Sequence, residues 1–334
     1  MGKNANLTNA KRAKNDEFYT CLTDIEKEMR HYKAFFKDKI VYWNCDDARE
    51  SNFFKYFSLN FEHLGLKKLI CTGYKENGHG VLLIYEGDKN GNRQVDDEEI
   101  MVTELEGDGD FRSQECIDLL HQADVVVTNP PFSLFREYVA QLMEYGKKFL
   151  IIGNQNAITY KEIFPYIKNN ELWLGATGIK DMSFKVPSSY GARETRFWVD
   201  ENGQHWRSLG NACWFTNISH NKRNTELDLY RKYDADAYPK YDNYDAIEVS
   251  KVADIPMDYE GVMGVPITFL DKYCPTQFEI VGGFNGYKTS DIVNGLICGT
   301  PTEYVDKNKT IKVWTGPTIN KKTIYYRILI KIRA

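Results

Sequence analysis

Apolar positions between Asp38 and Ile152 follow two alternating patterns. Short runs such as KIVYW, KKLICTGY, ADVVVT and KFLIIG are apolar on consecutive positions, as strands buried on both faces require. Longer stretches, SNFFKYFSLNFEHLG, CIDLLHQ and REYVAQLMEYG, are apolar at helical spacing. Strands and helices in alternation predict a doubly wound sheet, mostly parallel, with helices on both faces. In GVLLIYEGDKNGNRQVDDEEIMVTELEG the runs LLIY and IMVTEL flank an Asn-Gly pair, which predicts a hairpin inserted near residues 81–105. After ELWLG the rhythm stops: MSFKVPSS, ETRFWVDENGQHW and NACWFTNISH read as β segments, with CWFTNI a candidate last strand of the main sheet. Residues 221–260 are rich in tyrosine and charge and read as an extended surface segment, and KTIYYRILIKIR returns to a β pattern.

The expected organisation is a flexible basic arm over 1–14, an α/β core over 15–220 and a largely β region over 221–334. With 334 residues, 42% of them hydrophobic, the chain is long enough for a sizeable core. No apolar run approaches the roughly 18 residues of a membrane span. The opening MGKNANLTNAKRAKNDEFYT lacks the apolar centre of a signal peptide and the sixth-position Ser or Thr of a myristoylation signal, so a cytoplasmic location is expected. The seven cysteines form no CxxC pair and the six histidines no HExxH or i, i+4 pair. Neither a disulfide framework nor a protein-held metal is expected. In the inserted hairpin Asp88, Asn90, Asn92 and Glu99 take the first, third, fifth and twelfth places of a calcium loop, but Arg93 stands where that loop needs glycine.

Net charge is −4, unevenly spread. Residues 86–110 hold ten acids, whereas Lys3, Lys11, Arg12 and Lys14 stand in a start without acids, and 309–334 carry seven Lys or Arg and none. Two basic ends are suited to phosphates even on an acidic chain.

The candidate chemistry lies at TNPPF, where a buried run meets two prolines that end ladder pairing. A turn at the carboxyl end of such a strand, before a helix, is where open α/β sheets bind ligands. The exocyclic amine of an aromatic base is a poor nucleophile, because its lone pair is delocalised into the ring. Acceptors at Asn129 Oδ1 and the Pro130 carbonyl would hold its two protons and localise that pair. Pro131 would fix the turn and Phe132 would offer a stacking face. Such a tetrapeptide suits an amino-methyltransferase supplied by S-adenosylmethionine. Three segments are candidates for the cofactor: Asn44, Cys45, Asp46 and Asp47 after the first strand; Asp108, Asp110 and Phe111 in GDGDFRS; and Tyr19 with Thr20 in DEFYT, where Thr20 is equally placed to cap the helix begun by DIEKEM. No GxGxxG follows the first strand and there is no GxxxxGK[ST], which disfavours a Rossmann dehydrogenase and a P-loop phosphotransferase.

DEFYT, YWNCDDARESNFFKYF, GDGDFRS, TNPPFSLFREY, ITYKEIF, YPKYDNYDAIEV, GVMGVPITFLDKYCPTQFEI and YYRILIK occur in this order. Over nearly the whole chain this resembles the EcoRI-type adenine-specific DNA methyltransferases. The resemblance implies a Rossmann-like, mostly parallel seven-stranded core with an appended β-rich target-recognition region. It also implies transfer of a methyl group from S-adenosylmethionine to adenine N6 in double-stranded DNA, with the base flipped from the duplex. It carries Asn129, Pro130 and Phe132 to the adenine pocket, Asp46 and its neighbours to the cofactor loop, Asp110 and Phe111 to the cofactor adenine, and Tyr19 and Thr20 more weakly to the cofactor. A monomer working alongside a restriction endonuclease, without a stable complex, is the further implication. Residues 172–212 and 282–323 do not follow the family pattern, which makes them candidates for target recognition. Lys180, Arg193 and Arg196 are candidate DNA contacts there, with Lys11, Arg12 and Lys14 in the arm. The residues alone leave two rivals open: an amino-methyltransferase acting on RNA or on a protein glutamine, and a non-catalytic DNA-binding relative.

Overall fold

The three valines of ADVVVT form an interior strand of the first of two units. A computed structural model describes residues 19–44, 51–75, 77–188, 195–284, 287–288, 296–297, 301–306, 309–314 and 316–333. The first unit runs to Gln155 and resumes over Gly175–His220; the second comprises Asn156–Leu174 and the chain from Asn221 onward.

The strands in chain order are β1 (Tyr19–Thr20), β2 (Ile40–Trp43), β3 (Lys68–Gly73), β4 (Val81–Tyr85), β5 (Ile100–Glu104), β6 (Val125–Thr128), β7 (Lys148–Asn154), β8 (Trp173–Leu174, in the second unit), β9 (Lys180–Lys185), β10 (Phe197–Val199) and β11 (His205–Thr216). The main sheet runs in the order β1-β9-β11-β7-β6-β2-β3-β4-β5, with β10 beside β11. Pairing is parallel among β7, β6, β2 and β3. It is antiparallel at both flanks, through β4 and β5 on one side and β11, β9 and β1 on the other. The expectation of a mostly parallel sheet is therefore corrected: parallel pairing is confined to the four central strands, and the flanking segments are joined by hairpins and antiparallel returns.

Alternation along each strand builds the core on both faces. One face sends Val41, Trp43, Val125, Val127, Leu150 and Ile152 against the helices Leu22–Met29 and Asn52–Leu59. Phe53 of the latter helix meets Trp214 edge-on at 6.2 Å. That helix starts at Ser51, whose side chain accepts from the Phe53 N–H at 3.2 Å, a cap worth about 1 kcal/mol. On the opposite face Phe135, first residue of the helix Phe135–Glu144, packs on Phe215 at 5.0 Å. Gly153 in β7 allows that approach, because a Cβ there would lie 2.5 Å from the Phe135 ring.

The strands of the inserted hairpin, β4 and β5, are joined by a long loop in place of a tight Asn-Gly turn. The loop is closed by its own side chains. Asp88 accepts from the N–H groups of Gly91 and Arg93, each at 2.6 Å, and Glu99 accepts from that of Lys89 at 2.7 Å. Arg93 takes the left-handed conformation, φ 62°. Among the described residues no group of three His, Cys, Asp or Glu side chains is placed to hold a metal ion, and no helix is long and apolar enough to cross a membrane.

The second unit is built on a sheet ordered Ile247–Glu248, Met263–Val265, Arg327–Ile332, Phe278–Phe284, Leu296–Ile297. Residues 221–260 are more than surface chain, since Tyr238, Tyr241, Ile247, Val249 and Ile255 are buried. Two of their charges, Glu248 and Arg223, are matched within the unit. Glu248, itself buried, accepts from Arg327 Nη2 at 2.7 Å and from Nε at 3.0 Å, and also from the Tyr241 hydroxyl. The guanidinium of Arg223 lies 4.0 Å from the Trp173 ring centroid and donates to Asn170 Oδ1 at 3.0 Å.

Candidate active site

Three of the four parallel strands end in residues singled out from the sequence or in close contact with them. β6 is buried throughout and delivers Asn129, 6% exposed, directly beyond its last residue. Pro130 is buried, while Pro131 and Phe132 are half-buried. The Leu134 N–H donates to the Pro131 carbonyl at 2.9 Å, so the turn passes straight into the helix Phe135–Glu144. Phe132 packs against the core cluster of the first unit.

β2 ends at Trp43, and the next residue, Asn44, is buried. Cys45, Asp46 and Asp47 lie outside the described residues, as do Lys11, Arg12, Lys14 and Arg193. Beyond β3 the GDGD turn is sewn to the strand end. The Asp108 carbonyl accepts from the Lys75 N–H at 2.8 Å, and Gly109, φ 83°, comes so near that a Cβ would be 2.6 Å from the Gly73 carbonyl oxygen. Only glycine meets both demands. Asp108 Oδ1 accepts from the Asp110 N–H at 3.0 Å. The Asp110 carboxylate faces Arg112, which donates from Nη2 at 2.6 Å and from Nε at 2.9 Å; these bonds hold its carboxyl below the usual carboxylate range.

Tyr138, on the helix after the turn, connects these segments. Its hydroxyl donates to Asn44 Oδ1, and its ring meets Phe111 edge-on at 5.0 Å. Gln141, one turn further on, donates from Nε2 to the Phe111 carbonyl at 3.0 Å. Asn44, Phe111 and the helix that carries the NPPF turn thus form one packed cluster. Sequence reading assigned Tyr138 to the apolar stripe of its helix. Its polar end was the only signal of a second role, since a buried tyrosine hydroxyl needs a partner.

Thr20 lies in β1 and is not a helix cap: Cys21 holds the N-cap position of the helix Leu22–Met29 and makes no side-chain cap bond. The Thr20 carbonyl accepts from Asn52 Nδ2 at 2.8 Å, which brings β1 to the start of the helix following the β2 loop. Thr20 Oγ1 is buried and has no hydrogen-bond partner among the described residues. An orphaned hydroxyl of this kind is costly unless a ligand supplies the missing bond. Tyr19 is half-buried beside it. Arg196 is exposed, with φ 56°, just before β10, and Lys180 opens β9.

The family model described as adenine-specific methyltransferase EcoRI matches residues 6–333. The type II methyltransferase M.EcoRI of Escherichia coli is 48% identical over 99% of this chain and 98% of its own length. M.MgeORF184P of Mycoplasma genitalium is 39% identical over 96% of the chain and 97% of its length. M.MpnI of Mycoplasma pneumoniae, also a type II methyltransferase, is 42% identical over 84% and 87%. No solved structure matches the chain. With the family model spanning nearly every residue, the chain belongs to the EcoRI family of adenine-specific methyltransferases.

Proposed function

We propose that this site-specific DNA adenine methyltransferase binds its flipped target base at Asn129–Phe132 and holds S-adenosylmethionine over the ends of β2 and β3. The observation that carries the reading is the cluster of Asn44, Phe111 and Tyr138, which ties the proposed cofactor segments to the helix begun by the NPPF turn.

When bound, S-adenosylmethionine would supply an electrophilic methyl group, its methyl–sulfur bond breaking as the sulfonium leaves as the neutral thioether. Asn129 Oδ1 and the Pro130 carbonyl accept the two N6 protons, and the lone pair thus localised points away from them. Phe132 stacks on the flipped ring and keeps it in register with the turn. The methylated nitrogen then releases one proton to water. Removal of the base from the duplex costs a few kcal/mol, offset by these contacts and by backbone binding. Thr20 Oγ1, Asn44, Asp108, Asp110 and Phe111 hold the cofactor. For Asp110 this role coexists with the Arg112 bonds, because each carboxylate oxygen has more than one acceptor site. Target recognition belongs to the second unit together with the segment around β9–β11, and the protein works as a monomer on double-stranded DNA.

The test is incubation with tritiated S-adenosylmethionine and mixed plasmid DNA, followed by digestion to nucleosides. Label in N6-methyldeoxyadenosine, lost in Asn129→Ala while DNA binding persists, supports the reading. Full activity in that variant overturns the assigned mechanism.

A further inference from the structure

Strand β11 is longer than its neighbour. Of its 12 residues, those from Ala212 to Thr216 pair with β7, Ala212 opposite Asn154 at the strand's carboxyl end. His205 to Asn211 therefore continue past the rim at which β6 delivers Asn129, by roughly 20 Å at about 3.3 Å per residue. There β11 lies between β9 and β10, with Trp206 opposite both Lys185 and Trp198.

Burial along β9 fixes which way this extension faces. Met182, Phe184 and Val186 are buried, so Ser183 and Lys185 point to the other side. Register then places Trp198, Trp206 and Lys185 in one row on that outer face, continued by Tyr19 opposite Lys185 on β1. The two indoles lie nearly parallel, 9° apart with centroids at 6.3 Å, and Trp198 remains 41% exposed. Trp206 Nε1 donates to Asp200 Oδ2 at 2.8 Å, which leaves its ring fixed. Lys185 is exposed in the row between Trp206 and Tyr19, and exposed Arg196 lies two residues before Trp198. A cross-strand pair of this kind stabilises a hairpin by at most about 1 kcal/mol. That gain does not require flanking cations or a position beyond a base-binding rim. An exposed aromatic ring flanked by cations suits the DNA backbone, where the cations neutralise phosphates and the ring covers sugar.

We propose that the outer face of the β9–β11–β10 extension is a contact surface for duplex DNA beside the target adenine. Exposed Trp198, backed by Trp206, packs on the deoxyribose of the backbone, and Lys185 and Arg196 meet the phosphates on either side. This rests on the reading of the chain as a DNA methyltransferase and adds residues that lie outside its NPPF turn.

The test uses the full-length protein and a labelled duplex cut from DNA that it methylates. Trp198→Ala should weaken DNA binding at least tenfold, and Trp198→Phe should recover most of it. Lys185→Ala should flatten the slope of log affinity against log salt by about one unit. Affinity for S-adenosylmethionine should stay at the wild-type value in all three, and the melting midpoint should fall by no more than the loss of the cross-strand pair, about 1 kcal/mol, accounts for. Unchanged DNA affinity in Trp198→Ala, or a loss accompanied by an equal loss of folding, overturns the proposal. Wild-type protein that labels no DNA would instead refute the methyltransferase reading, so the two failures are distinct.

Discussion

The Tyr138 hydroxyl donates to Asn44 Oδ1, a bond between the helix behind the NPPF turn and the end of the first parallel strand. Both residues are buried, so loss of the hydroxyl leaves an amide oxygen to be satisfied without water. Tyr138→Phe keeps the ring on Phe111 and should cost about 1–3 kcal/mol of stability. If Asn44 holds the cofactor, isothermal titration should also show weaker S-adenosylmethionine binding, with kcat at saturating cofactor little changed.

Asn129 bears on the other half of the reaction. Asn129→Ala removes one acceptor from N6 and should lower kcat by roughly 100- to 1,000-fold, the usual loss for one preorganised catalytic hydrogen bond. Single-turnover methylation with excess enzyme measures this directly, and a parallel binding assay should show DNA affinity within a few-fold of the wild type.

Gly153 is a packing requirement. In Gly153→Ala the new methyl group meets the Phe135 ring, as the 2.5 Å approach dictates, and the helix that carries Tyr138 must shift. Overpacking of this kind costs about 1–3 kcal/mol. Urea denaturation should show a lower midpoint with an unchanged slope.

Arg112 holds the Asp110 carboxyl below its ordinary value of 3.8. A depressed folded-state value means that the pair stabilises the protein above that pH and that the contribution disappears as pH falls through the lowered value. Arg112→Ala should therefore melt below the wild type at pH 7, and the gap should close progressively from about pH 5 downward. A gap that stays constant with pH would contradict the assignment.

In the second unit, Arg327 pairs with a buried carboxylate. Arg327→Met should destabilise by about 3–5 kcal/mol because it leaves Glu248 charged and without its cation. The double variant Arg327→Met/Glu248→Gln should regain much of the loss in a denaturation cycle.

The parallel centre of the sheet was legible because each of its strands is buried on both faces, and such burial writes itself as an apolar run. NPPF was legible for a related reason: prolines cannot continue the ladder that the valines begin. The flanks were harder to read. The turn of hairpin β4–β5 depends on Asp88 and Glu99 reaching back to loop N–H groups, which no periodicity records. Residues 221–260 looked like surface because tyrosine and charge dominate them, yet Glu248, Arg327 and Tyr241 satisfy one another inside the unit. Tyr138 was hidden among helix positions that are simply apolar. RNA and glutamine remained open as substrates until relatedness over the whole chain decided for adenine in DNA.

One strand, β11, is paired to β7 at one end and carries Trp206 near the other, and its pairing with β9 shifts register between Leu209 and Ala212. A bulge bends a strand without releasing the ladder on either side. That irregularity thus divides β11 into two straight halves set at an angle. Its inner half pairs with β7, and its outer half pairs with β9 and β10. The direction in which Trp206 and its neighbours leave the parallel strands is therefore written into β11 itself, in the two residues between Leu209 and Ala212.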